Sequence, residues 1–368
     1  MREAVASLFL YLLKFKNMKL LNYLLVVLLL VSACKKDTKE DAPVLPADYG
    51  SGMYIVTKNG ISFYDGEVVK NQIYKKVNGS SILNSKKIKF SGTKAYIVTD
   101  NQILTANVKT FENKEEINGF TNAVDFDFVS HNRLFVVDKA DAKIKVVDLL
   151  TLDITSDIEA GDAVSPSFIV SKWYRSIVLN SGAVTTTLKD TTIIAIDYRD
   201  NLVPLADFNG SIYVGASPNS AVWINDLKIL CKGIYNPNNS LNTEATLVKV
   251  HPWNMEVVWT QNLSNIYNAR NLVATSNDNV YFFTAMDGLY NMYNNGTSIS
   301  QISPIVSDVL FIKKEEYNPT DTTTAQANML YINDAVNHAS TIYKYNTATS
   351  TFCDTIVVDG AIKDIAFY

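Results

Sequence analysis

The sequence has few of the residues that build metal sites and redox centres. Its 368 residues include only three cysteines and three histidines. The histidines, His131, His251 and His338, are far apart in the chain, and none belongs to a zinc-binding pattern. The chain also lacks a Gly-x-Ser-x-Gly nucleophile motif, a glycine-rich phosphate loop and a calcium loop of the EF-hand pattern. We therefore expect no metal and no cofactor, and the motifs give no support for catalysis.

Concentrated positive charge is also missing. Lysine and arginine together number 33 against 37 aspartates and glutamates, which gives a net charge of −4. Binding to a phosphate backbone requires a basic surface, and the sequence has no block of lysines and arginines that could form one. A nucleic-acid partner is therefore not expected.

Long apolar runs are absent except near the N-terminus. The run at residues 20–31, LLNYLLVVLLLV, is shorter than the roughly 20 residues that a membrane-spanning helix needs. Met18 and Lys19 precede it, and the small residues Ser32 and Ala33 follow it, as in a secretory signal peptide. We expect residues 1–33 to be such a signal, with translation starting at Met18. A start at Met1 would instead give an unusually long signal.

Residues 31–34, VSAC, resemble the lipobox of bacterial lipoproteins, in which the cysteine is acylated and becomes the mature N-terminus. This resemblance predicts lipidation of Cys34, and two or three acyl chains are enough for stable membrane anchoring. The alternative is a plain signal peptide with an incidental cysteine. Residues 34–50 are charged at first and then contain proline, alanine and glycine without an apolar period, which predicts a flexible tether. Residues 39–41, KED, resemble the export signal of Bacteroidota surface lipoproteins, although a solvated linker would look the same. We expect a lipid anchor in the outer membrane, at the cell surface or otherwise on the periplasmic face.

From residue 51 the sequence repeats one plan, an apolar β-branched strand, a polar turn and a second alternating strand. Seven copies give a period of about 45 residues, which is typical of propeller blades. The copies begin at Met53, Lys94, Arg133, Arg175, Leu227, Asn279 and Met329, with the fifth the most degenerate. No long stretch with helical periodicity follows the signal.

Two further strands complete each repeat. An apolar strand precedes the pair, as in AVDFDFV at Ala123, and a polar strand follows it, as in LDITSDIEAG at Leu152. The first copy has no preceding strand, whereas AIKDIAFY at residues 361–368 is such a strand with nothing after it. We therefore predict an all-β, seven-bladed propeller over residues 51–368, in which the C-terminal strand completes the first blade and leaves only short sheet edges.

The repeat RLFVVDKADAKIKVVDLLT from Arg133, a strand, a turn and a strand ending in Val-Asp, resembles the surface-layer or YVTN-type seven-bladed propellers. Together with the lipobox, the chain is similar to outer-membrane propeller lipoproteins of Bacteroidota, some of which capture vitamin B12 for a transporter. The resemblance implies a membrane-anchored binding protein whose partner is a small nutrient or an envelope protein. The chain lacks the Gly-His and Trp-Asp dipeptides of WD40 blades, and only HPWNMEVVWTQNL at His251 is similar to the tryptophan-ended repeat of quinone-dependent dehydrogenases.

Two cysteines fall within the propeller. Cys231 and Cys353 follow Leu230 and Phe352, respectively. A disulfide between them is compatible with export, but the apolar neighbours favour two separate buried thiols.

The propeller plan places candidate ligand contacts on one face. Loops between blades, and turns between the second and third strands of a blade, open on the same face around the central channel. Residues placed there are Asn59, Asp100, Phe120, Asn122, Tyr235, Tyr267, Arg270, Asp287, Asn337 and His338, with Tyr235 in an insertion at residues 234–244. Aromatic rings with amides, carboxylates and a guanidinium suit a recognition surface, and Tyr267 with Arg270 is the leading pair. Turn formation is the other explanation for most of them.

Other aromatic residues are placed elsewhere. Trp173 and Tyr174 belong to the opposite face, Trp223 belongs to the core, and residues 315–328 form a loop on the opposite face. We therefore predict a non-catalytic binding protein that takes up a small nutrient or contacts an envelope protein. A lactonase-like or lyase-like propeller enzyme is the alternative, because such active sites combine single residues from several blades.

Overall fold

The computed structural model describes residues 48–160, 165–181, 190–198, 207–236, 242–275, 278–293, 298–303, 309–314, 329–334 and 337–368. In these ranges 28 strands and one short helix are present, and they belong to one compact unit that begins at Asp48. None of the described segments is a helix of the length and hydropathy that a membrane crossing needs. The predicted signal peptide, Cys34, most of the tether and the loop at residues 315–328 lie outside the described residues.

The strands form seven four-stranded sheets, which we number as blades from the N-terminus. Blade 1 contains β28 (Ile362–Phe367), β1 (Met53–Thr57), β2 (Gly60–Tyr64) and β3 (Val69–Lys70). Blade 2 contains β4 (Lys87–Ser91), β5 (Lys94–Val98), β6 (Gln102–Asn107) and β7 (Asn113–Asn118). Blade 3 contains β8 (Ala123–Ser130), β9 (Arg133–Asp138), β10 (Lys143–Asp148) and β11 (Asp153–Glu159). Blade 4 contains β12 (Pro166–Lys172), β13 (Arg175–Asn180), β14 (Thr192–Asp197) and β15 (Asp207–Tyr213).

The remaining three blades follow the same order. Blade 5 contains β16 (Pro218–Trp223), β17 (Leu227–Cys231), β18 (Ala245–His251) and β19 (Glu256–Leu263). Blade 6 contains β20 (Arg270–Ala274), β21 (Val280–Ala285), β22 (Gly288–Tyr293) and β23 (Ile299–Ser303). Blade 7 contains β24 (Val309–Lys314), β25 (Met329–Asp334), β26 (Thr341–Asn346) and β27 (Thr351–Val357).

The predicted seven-bladed propeller is confirmed. The first strand of each blade contacts the first strands of both neighbouring blades, so that β28, β4, β8, β12, β16, β20 and β24 form a closed ring. The C-terminal strand β28 pairs with β1, with Ile365 opposite Ile55 and Phe367 opposite Met53. The end of the chain therefore closes the ring through blade 1, as the sequence predicts.

Hydrophobic side chains fill the space between blades. Each pair of neighbouring blades encloses one of seven clusters of buried residues in the described part of the chain. Strand β1 shows how alternation serves this arrangement, because Tyr54 and Val56 enter the cluster with blade 2 while Met53 and Ile55 enter the cluster with blade 7. A strand packed on both faces is apolar at consecutive positions, which explains the unbroken apolar runs of the second strands.

Blade 1 contains a short helix that the sequence does not predict. The helix α1 (Ile73–Asn78) follows the two-residue strand β3 and buries Ile73 and Tyr74 in the cluster with blade 2. It ends at Gly79, whose φ of 76° is left-handed and whose N–H donates to the carbonyl of Lys75 at 2.9 Å. Six residues contain fewer than two helical turns, and therefore they leave no periodic signal in the sequence.

One cysteine lies where it was not expected. Cys231 in β17 is buried as predicted, whereas Cys353 is exposed, and both thiols are free, so the sequence prediction is wrong for the burial of Cys353. Cys353 belongs to β27, the outermost strand of blade 7, whose side chains are mostly exposed because no further strand covers that edge. Neighbouring apolar residues predict burial less well on an outer strand than on an inner one.

The loops and turns define two faces. We call the face that has the links between blades and the turns between second and third strands the connecting face. The face that has the turns between first and second strands and between third and fourth strands is the turn face. This assignment follows from the antiparallel order of every sheet and agrees with the faces predicted from the sequence.

Candidate functional site

Two tyrosines meet on the connecting face between blades 5 and 6. Tyr235 lies in the segment between β17 and β18, and Tyr267 lies in the link from β19 to β20. Their ring centroids are 5.4 Å apart with an interplanar angle of 49°, and both side chains are half-buried. Arg270, also half-buried, is the first residue of the inner strand β20. The structure thus brings together two predicted aromatic residues from separate loops, with the predicted arginine three positions along the chain.

Backbone hydrogen bonds hold these two loops. Ile234 and Thr243 form a two-way bridge at 2.9 and 3.0 Å, which fixes the base of the loop that contains Tyr235. The carbonyl of Tyr267 accepts the N–H of Met286 at 3.1 Å, so the turn with Asp287 is tied to the same site. The Asp287 carboxylate accepts the hydroxyl of Tyr290 at 2.7 Å; burial and this contact raise the pKa of Tyr290 well above its ordinary value.

The backbone next to Tyr267 is unusual. Asn265, Asn268 and Asn271 have φ values of 61°, 55° and 62°, so three residues within seven are left-handed. Asparagine tolerates this conformation better than most residues, but a cluster of such positions is characteristic of segments whose shape is fixed for a function.

The predicted residues of blades 7 and 1, which are Asn337, His338 and Asn59, contact neighbouring turn and loop residues. Asp334 accepts the N–H of Asn337 at 3.1 Å and its side-chain amide at 2.9 Å, and Nδ1 of His338 lies 3.9 Å from the same carboxylate. Asn59 donates its side-chain amide to Asp359 at 3.3 Å and joins the first turn of blade 1 to the link from blade 7. The described contacts of Asn59, Asn337 and His338 therefore stabilise local loop structure.

The predicted residues between blades 2 and 3 also have structural contacts. Phe120 is buried in the hydrophobic cluster of these blades, and its ring is not part of the surface. Asn122 accepts Nζ of Lys86 at 2.6 Å, and the same ammonium lies 2.6 Å from Asp100. Asp100 lines an open cleft of about 510 Å³ beside α1, whose other lining residues are Tyr74, Ser80, Ser81, Ile82, Leu83, Asn84, Asn101, Gln102, Leu104 and Glu116.

The inner strands contain a charged network that the sequence analysis did not single out. Asp125 of β8 lies 2.7 Å from Nζ of Lys87 and 3.6 Å from Nζ of Lys89, both on β4. Lys89 also lies 3.4 Å from Asp127. The two carboxylates accept backbone N–H groups of the next inner strand, from Ile169 at 3.3 Å and from Ser171 at 2.7 Å. Side chains of one blade therefore satisfy the open edge of the next.

The two lysines of the network keep the Asp125 carboxylate ionised. Burial alone would raise the pKa of Asp125, but Lys87 and Lys89 outweigh it, and the pKa lies below its ordinary value of 3.8. Burial would likewise lower the pKa of Lys89, and Asp127 and Asp125 raise it instead. A carboxylate with a lowered pKa is a weak general base, so this pair suits a structural role better than proton transfer. The described residues include no group of three or more potential metal ligands.

A second feature missed from the sequence is on the turn face. Trp173, Trp223 and Trp253 contact one another there, with ring centroids between 6.1 and 6.3 Å apart. The sequence signal was the stretch KWYR, in which a two-residue turn is made of Trp and Tyr without glycine or asparagine. The signal for the inner network was the alternation of charge in KIKF and DFDF.

Known proteins resemble this chain in structure and not in sequence. No protein-family model matches the chain, and no curated protein sequence matches it. A quinoprotein alcohol dehydrogenase-like protein from Bacteroides thetaiotaomicron is 14% identical with a TM-score of 0.61, covering 87% of this chain and 79% of its own. A putative 6-phosphogluconolactonase from Bacteroides uniformis is 12% identical with a TM-score of 0.61, covering 86% of this chain and 99% of its own.

A periplasmic gluconolactonase from Pseudomonas aeruginosa is similar in the same way. It is 10% identical with a TM-score of 0.63, covering 86% of this chain and 98% of its own. At such identities the likeness concerns the fold and not the site. The comparisons and the sheet topology together show a seven-bladed β-propeller with structural neighbours from Bacteroides species.

Proposed function

We propose that this protein is a lipid-anchored envelope protein whose propeller binds a small ligand at the connecting face without transforming it. In this proposal Tyr235 and Tyr267 contact an apolar or ring-shaped face of the ligand, and Arg270 contacts an acceptor or anionic group. The observation that carries the proposal is the contact between the two tyrosine rings, 5.4 Å apart, which come from separate loops next to an inner strand. Acylation at Cys34 would hold the domain at the outer membrane.

The chemistry of the site indicates the class of ligand. Two phenol rings provide contact area with little loss of side-chain entropy, and their hydroxyls and the guanidinium orient polar groups. Corrinoids and oligosaccharides both combine an extended apolar surface with many hydrogen-bond acceptors. The left-handed asparagines around Tyr267 support a preformed site, because their backbone shape is fixed before any ligand arrives.

The test is calorimetric titration of the protein with cobalamin and with neutral oligosaccharides. Binding to one of these classes should weaken at least tenfold in Tyr235→Ala and in Tyr267→Ala. Tyr293→Ala is the matched control, because Tyr293 is an exposed tyrosine at the end of β22, the end farther from the connecting face. At 100 times its dissociation constant a ligand adds about 2.7 kcal/mol to stability, so a thermal shift should accompany binding. Titrations that show no heat with either class, or equal binding by all three variants, would refute the proposed site.

A propeller enzyme is the competing function. Two of the similar structures are named as gluconolactonases, and a lactonase would need a general base in or near the central channel. Among the described carboxylates of the inner strands, Asp125 is paired with two lysines, and its pKa is lowered rather than raised. We therefore expect no enhanced hydrolysis of gluconolactones in a pH-indicator assay. Hydrolysis that Asp125→Asn or Asp127→Asn abolishes in a folded protein would favour the enzyme.

A further inference from the structure

The turn face has a cluster of three of the four tryptophans in the chain. Trp173 lies in the turn between β12 and β13, Trp253 lies in the turn between β18 and β19, and Trp223 ends β16. The rings of Trp173 and Trp253 are nearly parallel, with an interplanar angle of 21°. The ring of Trp223 lies across them at 83° and 63°. We call these three residues the tryptophan platform.

The platform exposes much more aromatic surface than stability alone would favour. Trp173 is 60% exposed and Trp253 is 42% exposed, and the neighbouring Tyr174 is exposed as well. An exposed cluster of large aromatic side chains commonly marks a binding surface. Trp223, in contrast, is only 8% exposed and forms the base of the platform, and its indole N–H has no acceptor among the described residues.

The backbone of Trp173 is strained. Its φ is 54°, in a two-residue turn where glycine or asparagine would be the ordinary choice. A left-handed conformation is unfavourable for a bulky side chain, and strain of this kind is characteristic of functional positions. The turn therefore retains a tryptophan at a position that local structure disfavours, which suggests a use for the exposed ring.

Buried polar groups fix the two exposed tryptophans. Arg175 pairs with Asp197 through two hydrogen bonds, one of them 2.6 Å from Nη2, and it donates Nη1 to the carbonyls of Pro252 and Trp253. Its guanidinium lies 5.0 Å from the centroid of the Trp253 ring. The hydroxyl of Tyr198 donates to the carbonyl of Trp173 at 2.7 Å. The contacts of Arg175 and Tyr198 thus fix the positions of Trp253 and Trp173 before any ligand binds.

One positively charged side chain, Lys172, lies beside the platform. Nζ of Lys172 lies 4.5 Å from the centroid of the Trp173 ring and donates to the carbonyl of Ile224. No carboxylate of the described residues forms an ion pair with Lys172, whereas Arg175 is neutralised by Asp197. A cationic ligand would be repelled at this position, and an anionic ligand would be attracted.

We infer that the tryptophan platform is a binding site for an acidic glycan. One C–H face of a pyranose ring carries a weak positive charge and stacks on the negative face of an indole, while its hydroxyl groups stay in water. A carboxylate on the sugar would reach the ammonium of Lys172. The site lies on the turn face, opposite Tyr235 and Tyr267, and does not depend on a ligand at the connecting face.

The test titrates the full-length protein with a hexamer of galacturonic acid and with the corresponding hexamer of galactose. We expect the acidic hexamer to bind more tightly, with at least a tenfold loss in Trp173→Gly and in Trp253→Ala. Glycine suits the left-handed backbone at position 173, so this variant should fold. Lys172→Met should weaken only the acidic hexamer. Trp259→Ala, the fourth tryptophan, and Tyr267→Ala should leave this binding unchanged, which separates it from the proposed connecting-face site.

Several results would overturn the inference. Equal affinity for the two hexamers would show that the charge of Lys172 has no role in recognition. Binding that survives both platform variants, or that Tyr267→Ala removes, would place the glycan elsewhere. Absence of binding to either hexamer, with platform-dependent sedimentation on phosphatidylglycerol vesicles, would instead identify the cluster as a membrane contact.

Discussion

Replacing Asp125 with alanine should destabilise the propeller, because Asp125 connects the inner strands of three blades. The side chain is 1% exposed and lies 2.7 Å from Nζ of Lys87 and 3.6 Å from Nζ of Lys89. It also accepts the N–H of Ile169, so it joins the inner strands of blades 2, 3 and 4. Its removal takes from Lys87 the carboxylate at 2.7 Å and takes from Lys89 one of two carboxylates, the other being Asp127 at 3.4 Å. It also removes the acceptor of the N–H of Ile169.

The expected loss of stability can be bounded from these contacts. Breaking a buried ion pair by removing one partner costs about 3–5 kcal/mol. Lys87 and Lys89 keep 24% and 30% exposure, which lets water hydrate them in part and favours the lower limit, about 3 kcal/mol. An unfolding entropy of about 2.1 cal/mol/K per residue gives about 0.7 kcal/mol/K for about 320 residues, so Tm should fall by about 4 °C.

The assay is thermal unfolding followed by circular dichroism, with Glu115→Ala as the control. Glu115 pairs with Lys94 at 2.5 Å in the neighbouring blade, but both side chains are more than a third exposed. Such a pair contributes less than about 1 kcal/mol, and its Tm change should stay below about 2 °C. The double variant Lys87→Met with Asp125→Leu should recover only the part of the loss that comes from Lys87, because the N–H of Ile169 still lacks its acceptor and Lys89 still lacks Asp125.

The pH dependence supplies a second readout. The pKa of Asp125 is lowered in the folded protein relative to its ordinary value of 3.8. The stabilisation is therefore complete above about pH 4 to 5 and is lost as pH falls through the folded-state pKa. The difference in Tm between the native protein and Asp125→Ala should be constant from pH 5 to 8 and should shrink below pH 4. A change no larger than that of Glu115→Ala at neutral pH would refute the structural role of the network.

Three further outcomes are expected. Removing residues 361–368 deletes β28, which leaves β1 as an unpaired inner edge and exposes a hydrophobic cluster. Soluble expression should therefore be lost. A soluble monomer in gel filtration would contradict ring closure by this strand. Burial raises the pKa of Cys231 to about 12, so iodoacetamide at pH 8 should modify Cys353 but leave Cys231 unmodified until the protein unfolds, as read by peptide mass spectrometry. Gly233→Ala should lower the free energy of unfolding, measured by urea denaturation, by about 1–3 kcal/mol. The reason is that φ of Gly233 is 71° and a Cβ there would lie 2.4 Å from the carbonyl oxygen of Thr243. Unchanged stability would show that this loop rearranges freely.

The sequence predicted the architecture because the architecture repeats. Seven copies of the same strand pair, with a period of about 45 residues, indicate a propeller even when one copy is degenerate. The missing first strand near Met53 and the extra strand at residues 361–368 predicted how the ring closes, and β28 pairs with β1. These features are local in sequence, since they depend on alternation, turn residues and order along the chain.

The binding site was more difficult to predict than the fold, because side chains on the same face of the propeller do not all lie close together. Topology placed the predicted residues on the connecting face, but the described ring contact joins only Tyr235 and Tyr267, and Asn122 and Asp100 instead meet at Lys86. Phe120 is buried, Asn337 forms a turn hydrogen bond with Asp334, and Asn59 donates to Asp359 in the link from blade 7. His338 lies next to the same Asp334 carboxylate. An amide that forms a turn and an amide that awaits a ligand have the same sequence signature.

What the sequence determined by itself was the fold class, the number of blades, the strand order and the face to which each turn belongs, because all of these follow from local pattern. What only the tertiary structure decided was which side chains meet across blade boundaries. Trp173 and Trp253 are 80 positions apart and contact each other through two different turns, and Lys87 reaches Asp125 between two inner strands. Such contacts depend on the twist and packing of whole sheets, which the pattern of any single strand does not contain.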